Sequence, residues 1–276
     1  MEHLPGGRQM LHKLYGRIYP RRFASQSEAA GVQFPTPFCF DLLNAVKQNE
    51  TVGVIEGVEM IITEQKPIQE ILDSLKGYDK IFLLGCGECA TVCKTGGETE
   101  IAQMKKTLEE KGKVVTGFAI PQAPCIASQI KIELAKNMKV LRQSDAILVL
   151  ACGLGVQSLK ANDRLGLVDV PGCNTQFSGI VDSKGDLYER CSACGECVLG
   201  VTAGICPITL CPKGLLNGPC GGVDKGKCEV DKDKDCAWVL IYKELEKQKH
   251  LAEFKKIRAP RDFSKIIRPQ SKILVK

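Results

Sequence analysis

The amino-acid sequence predicts an α/β protein: a small parallel-sheet domain, then a cysteine-rich irregular domain stabilised by metal, then a C-terminal helix. Three observations predict this order. Short apolar runs alternate with segments of helical periodicity up to about residue 172. The periodicity then lapses where cysteines crowd together, and an amphipathic stretch around Trp238 follows the last of them.

Four segments follow from this: 1–59, 60–172, 173–246 and 247–276. The front is basic, with Arg8, Lys13, Arg17, Arg21 and Arg22 against Glu2, and lacks the apolar region of a secretory leader. It is expected to be a poorly ordered extension, and a natural start at Met60 is one expectation. From there, 80–84, 113–120 and 146–151 are apolar runs ending in Gly, Pro or Cys, as strands buried on both faces do. Segments 99–111 and 126–142 between them carry apolar residues every three or four positions. Strands alternating with helices imply a parallel sheet with right-handed crossovers.

Segments 177–181 and 187–190, joined by Asp182-Ser183-Lys184-Gly185-Asp186, read as a hairpin. The stretch from Cys191 to Cys236 buries too little apolar surface to fold without help, so bound metal is expected to organise it. A helix over 237–254 places Trp238, Leu240, Ile241 and Leu245 on one side. The tail beyond Lys247 is strongly basic and reads as an arm for an acidic partner, with Leu251, Phe254, Ile257, Phe263, Ile266 and Ile267 among its charges.

Fifteen cysteines in 276 residues are the loudest chemical signal. Their odd number and C-x-x-C grouping count against a disulfide framework and for metal ligation in a cytoplasmic protein. The longest apolar stretch, 146–152, is far too short to span a membrane.

Two ligand sets stand out. Cys86-Gly87-Glu88-Cys89-Ala90-Thr91-Val92-Cys93 offers three thiolates from about one turn of backbone, and a cubane cluster needs a fourth from elsewhere. Cys152 is the first choice and Cys125, at a helix start, the second; either can also be a small buried hydrophobe at a strand end. Cys86, Cys125 and Cys152 each follow a predicted strand, so the rim where open α/β sheets bind ligands can gather them. The second set, Cys191, Cys194 and Cys197 followed by Cys206-Pro207, has ferredoxin-type spacing. Cys211, Cys220, Cys228 and Cys236 form a further group that suits another cluster or a tetrahedral zinc.

Other chemistry is thin. Gly85-Cys86-Gly87 lacks the rest of a phosphate loop, and three histidines offer no triad. No general acid or nucleophile has a partner, so no catalytic residue is assigned. Aromatic residues are too few for a nucleic-acid surface.

The run from Cys206-Pro207 through Cys211-Pro212-Lys213 and Asn217-Gly218-Pro219-Cys220-Gly221-Gly222 to Cys228 and Cys236-Ala237-Trp238 resembles the methylenetetrahydrofolate reductase C-terminal domain family. Within it, the likeness is to the small iron-sulfur subunits of acetogenic bacteria, from about Met60 to Glu246. That resemblance implies a non-catalytic electron-transfer subunit, for which the ligand sets suit two or three [4Fe-4S] clusters. It also implies a flavin-bearing barrel partner that reduces methylenetetrahydrofolate, with ferredoxin or a nicotinamide-oxidising subunit as donor. The chain is too short for a (β/α)8 barrel together with the cysteine domains, so folate and flavin are expected on another polypeptide. A zinc-stabilised scaffold without redox function is the alternative.

Overall fold

The computed structural model describes residues 60–273; the basic front, expected to be a poorly ordered extension, lies outside these residues. The described residues begin with strand β1 (Met60–Gln65) and helix α1 (Ile68–Ser74). An α/β segment follows: β2 (Lys80–Leu84), α2 (Cys89–Val92), α3 (Glu98–Glu110), β3 (Val114–Ala119), α4 (Ala127–Lys136), α5 (Met138–Leu141), β4 (Ala146–Val149), α6 (Gly153–Asn162) and β5 (Val168–Pro171). Strands β2 to β5 form a wholly parallel sheet in the order β3-β2-β4-β5. This is the predicted parallel α/β core, with β5 added at its edge.

The two central strands show why their runs are apolar throughout. Ile81 and Leu83 of β2, with Ala146 and Leu148 of β4, face a layer containing Ile71, Leu75, Ile101 and Leu108. The alternate residues Phe82, Leu84, Ile147 and Val149 face Ile130, Leu134, Leu141 and Leu159 on the other side. Side chains alternate across a strand, so a layer on each face demands an apolar residue at every position.

The predicted helix over 126–142 divides at Asn137, whose side-chain amide donates to the Glu133 carbonyl at 2.9 Å. Local bonding of this kind competes with helix continuation.

Strands β6 (Cys173–Val181) and β7 (Leu187–Cys191) make the predicted hairpin, extended at its front. It pairs with β1, giving an antiparallel sheet β1-β6-β7 in which Met60 stands opposite Gly179 and Gln65 opposite Cys173. The beginning of the described chain is thereby bound to the segment that leads into the cysteine-rich region.

Regular structure is sparse from there to helix α8 (Ala237–Lys247): one 3-10 turn, the short α7 (Pro207–Leu210) and isolated bridges joining Lys227 to Asp224 and to Asp235. Trp238, Ile241 and Leu245 of α8 form a separate small core, with Leu215, Val223 and Phe254 against it. Trp238 Nε1 donates to the Leu215 carbonyl at 3.0 Å. The predicted helix over 237–254 is interrupted after Lys247, where Lys249 takes a left-handed conformation (φ 60°), and resumes as α9 (Leu251–Phe254).

Candidate metal centres

In the parallel sheet the chain runs from β2 to β3 on one side and then returns to place β4 on the other. That reversal puts the switch point of the sheet between the carboxyl ends of β2 and β4, the position at which doubly wound sheets bind ligands. The loop after β2 carries Cys86 and the loop after β4 carries Cys152. Cys125 follows β3 and Cys173 follows β5, so each of the four parallel strands delivers a cysteine to the same rim. Cys89 and Cys93 stand at the two ends of α2.

Close backbone packing fixes these loops. Cys86 N donates to the Gly96 carbonyl at 3.0 Å, Gly87 N to the Pro121 carbonyl at 2.9 Å and Leu150 N to the Leu84 carbonyl at 2.7 Å. A Cβ on Gly96 would stand 1.8 Å from the Leu150 carbonyl oxygen, so only glycine permits this approach. Strand β1 lies over the rim: Ile61 N donates to Cys89 Sγ at 3.4 Å, and Cys93 Sγ reaches the Ile61 carbonyl at 3.8 Å.

The thiols sense one another. Burial pushes the Cys86, Cys89 and Cys125 thiols up, and the nearby Cys152 pushes each the same way. Cys173 is pushed up to about 12, chiefly by burial, with Cys152, Cys93 and Cys86 adding to it. Cys152 is thus within electrostatic range of four other thiols. A bound cationic core would let several such sulfurs ionise together, because metal ligation requires thiolates and offsets their mutual repulsion.

Cys173 belongs to no cysteine motif that would mark it in the sequence. Its signal was positional: it stands just past Val170-Pro171, as Cys86, Cys125 and Cys152 stand past their strands, but β5 itself was not foreseen.

Cys191 closes β7, and Cys194 and Cys197 lie in the loop beyond it. Ala193 and Gly195 are left-handed there (φ 50° and 72°), and Ala193 N–H donates to Cys191 Sγ at 3.3 Å. Amide groups turned towards sulfur are a means by which cluster loops stabilise ligand charge. Cys206 caps α7, which is tied to β7 by Thr209 Oγ1 donating to the Arg190 carbonyl at 3.2 Å.

Cys211, Cys220, Cys228 and Cys236 line one cavity of about 20 Å³ beside Trp238. The structure therefore brings these four together across a span of chain with almost no regular elements. Cys220, exposed, has its thiol lowered by the Gly222 N–H and by Lys213. Among the described residues, no group of three His, Cys, Asp or Glu side chains is arranged to hold a single metal ion. A lone tetrahedral zinc draws its sulfurs to about 2.3 Å from one point, a tighter convergence than a multi-iron core needs.

The basic tail folds back on its own chain. Asn217 and Arg258 exchange two hydrogen bonds, of 3.1 and 2.7 Å, and the Arg258 guanidinium donates to the Leu216 and Val201 carbonyls. Glu196, between Cys194 and Cys197, accepts from Asp262 N at 3.0 Å and from Lys265 Nζ at 3.2 Å. Residues expected to form a free docking arm are in this way strapped across the ferredoxin-type loop.

Fold and thiols together define a cysteine-rich α/β protein with cysteines after its parallel strands, on either side of the switch point. Residues 170–264 match the family described as "Methylene-tetrahydrofolate reductase C terminal". The resemblance seen in the cysteine motifs is therefore found independently over this region, and it continues past Glu246 into the strap; residues 60–169 lie outside the match. No curated protein matches the chain. Among solved structures, the chain is similar to the Gly74Cys mutant of arylmalonate decarboxylase in its sulfate-associated form. That similarity has 16% identity and a TM-score of 0.28, covering 38% of this chain and 46% of the other. A likeness of that size carries no functional weight. No helix among the described residues is long and apolar enough to cross a membrane.

Proposed function

We propose that the chain is the iron-sulfur electron-transfer subunit of a methylenetetrahydrofolate reductase complex, relaying electrons to the flavin of a catalytic partner. The observation that carries this reading is the placing of Cys86, Cys125 and Cys152 after three parallel strands, at one end of the sheet, in a chain whose residues 170–264 match the reductase C-terminal family. Cys86, Cys89 and Cys93, with Cys152 or else Cys125 as the fourth ligand, would hold one [4Fe-4S] cluster. Cys191, Cys194 and Cys197, with Cys206, would hold another. A bound cluster supplies reversible one-electron transfer. The chain's own residues would supply the thiolates and turn amide N–H groups towards sulfur, as Ile61 N does to Cys89 and Ala193 N to Cys191.

Folate and flavin would sit on the partner, and ferredoxin or a nicotinamide-oxidising subunit would deliver electrons. Co-expression under anaerobic conditions tests this. The expected outcome is co-purification with a flavoprotein whose flavin is reduced by external donors only when this chain is present. Flavin reduction at the same rate without it would sink the relay.

A second reading for that part of the molecule is a structural zinc that draws Cys211, Cys220, Cys228 and Cys236 closer around the cavity they share and holds the irregular region together. Zinc there and iron elsewhere is compatible with electron transfer; zinc alone throughout would make the chain a scaffold.

A further inference from the structure

We infer that Arg261 tunes the reduction potential of the cluster assigned to the loop of residues 191–197, placing a fixed positive charge beside Cys194. This rests on the electron-transfer reading above. The anchors on either side of Arg261 leave it little freedom. Three residues earlier, Arg258 is held by Asn217 and lies 5.8 Å over the Trp238 ring. Immediately after it, Asp262 N bonds to Glu196, and the Lys265 carbonyl stands 2.9 Å from where a Cβ on Gly195 would lie.

Held between them, Arg261 donates through Nη2 to the Cys194 carbonyl at 3.2 Å, and its guanidinium lies 5.7 Å from the Phe263 ring. Its Nε is shielded from solvent and has no hydrogen-bond partner. A shielded donor without an acceptor is costly unless something negative is nearby to repay it. The nearby carboxylates have other partners: Glu196 accepts from Asp262 N and Lys265, and Asp262 caps Ser264. Among the described residues no carboxylate forms an ion pair with Arg261, so its charge is available to the sulfurs of the loop.

A guanidinium stays charged at every working pH. Close to a bound cluster, it would favour the reduced form, which carries one more negative charge, and so raise the potential. Arg261 acts through charge and through the Cys194 backbone; it is a positioning residue and contacts no substrate.

The test compares full-length wild type with R261Q, R261K and C194A, each purified anaerobically and followed by iron analysis and EPR-monitored redox titration. C194A identifies the signal that belongs to this loop. R261Q is expected to keep the wild-type iron content while that signal's midpoint moves to more negative potential, with R261K closer to wild type. Full iron with an unchanged midpoint in R261Q overturns the inference. Should R261Q lose the cluster, R261K decides alone: retained iron and a near-wild-type midpoint support the role of charge, whereas iron loss in both assigns Arg261 to structure only and overturns it. Iron-free wild type would instead refute the electron-transfer reading itself.

Discussion

Cys152 is the thiol that Cys86, Cys89, Cys125 and Cys173 all sense, and this central place gives it a distinct expected phenotype. Cys152→Ala is expected to lower iron by about four atoms per chain, one cubane's worth, in anaerobic iron analysis. Cys173→Ala is expected to keep its iron and to cost only about 1 kcal/mol in denaturant unfolding, because Cys173 is enclosed against the Thr95 carbonyl and removing its sulfur leaves a small void. A second residue matters for stability alone. Asp169 on β5 is pushed up to about 6 from an ordinary 3.8 by burial; neither carboxylate oxygen has a hydrogen-bond partner, and Lys160 stands 3.8 Å away. Its folded-state value is raised, so the protonated form is favoured on folding. Stability from this group is complete below about pH 4 and is lost as pH rises through about 6. Asp169→Asn is expected to remove that dependence and to stabilise the protein at pH 7 by about 1–2 kcal/mol, read from unfolding curves at pH 5 and 7.

At the scale of elements, the rim depends on loops packed backbone to backbone. Gly96→Ala would force a Cβ into the Leu150 carbonyl and is expected to cost more than about 2 kcal/mol, seen as a lowered Tm. The parallel strands were legible in the sequence because burial on both faces leaves a continuous apolar signature, as in 146–149. β1 and β5 were not. Met60–Gln65 mixes Thr63, Glu64 and Gln65 with apolar residues, and Val168–Pro171 is four residues long and includes Asp169. Their identity comes from pairing with β6 and β4, a tertiary influence that no local pattern records. The helix breaks at Asn137 and Lys249 were likewise hidden, because the apolar spacing runs on through both. Ligand candidates were easier to read than their grouping. The C-x-x-C spacings named the loops, whereas Cys173 and the common cavity of Cys211, Cys220, Cys228 and Cys236 required the fold.

Over the whole molecule, two kinds of stability are joined. The α/β part has a layered core on both sides of its sheet, whereas residues 191–236 have short elements and lean on a small core around Trp238 and on the strap of residues 258–265. Metal binding to such a region is folding free energy. Removing metal with a strong chelator is expected to open residues 191–236 to proteolysis while the fragment carrying β1 to β6 remains resistant. Limited digestion read by mass spectrometry checks this, and cleavage spread evenly along the chain would contradict it. The most direct test of the central claim, that thiols from separate loops hold iron-sulfur cores, is joint iron and acid-labile sulfide analysis of the anaerobically purified chain. About eight or more of each per chain, with an EPR signal on reduction, is the expected result; a chain without iron, or with zinc alone, would contradict it.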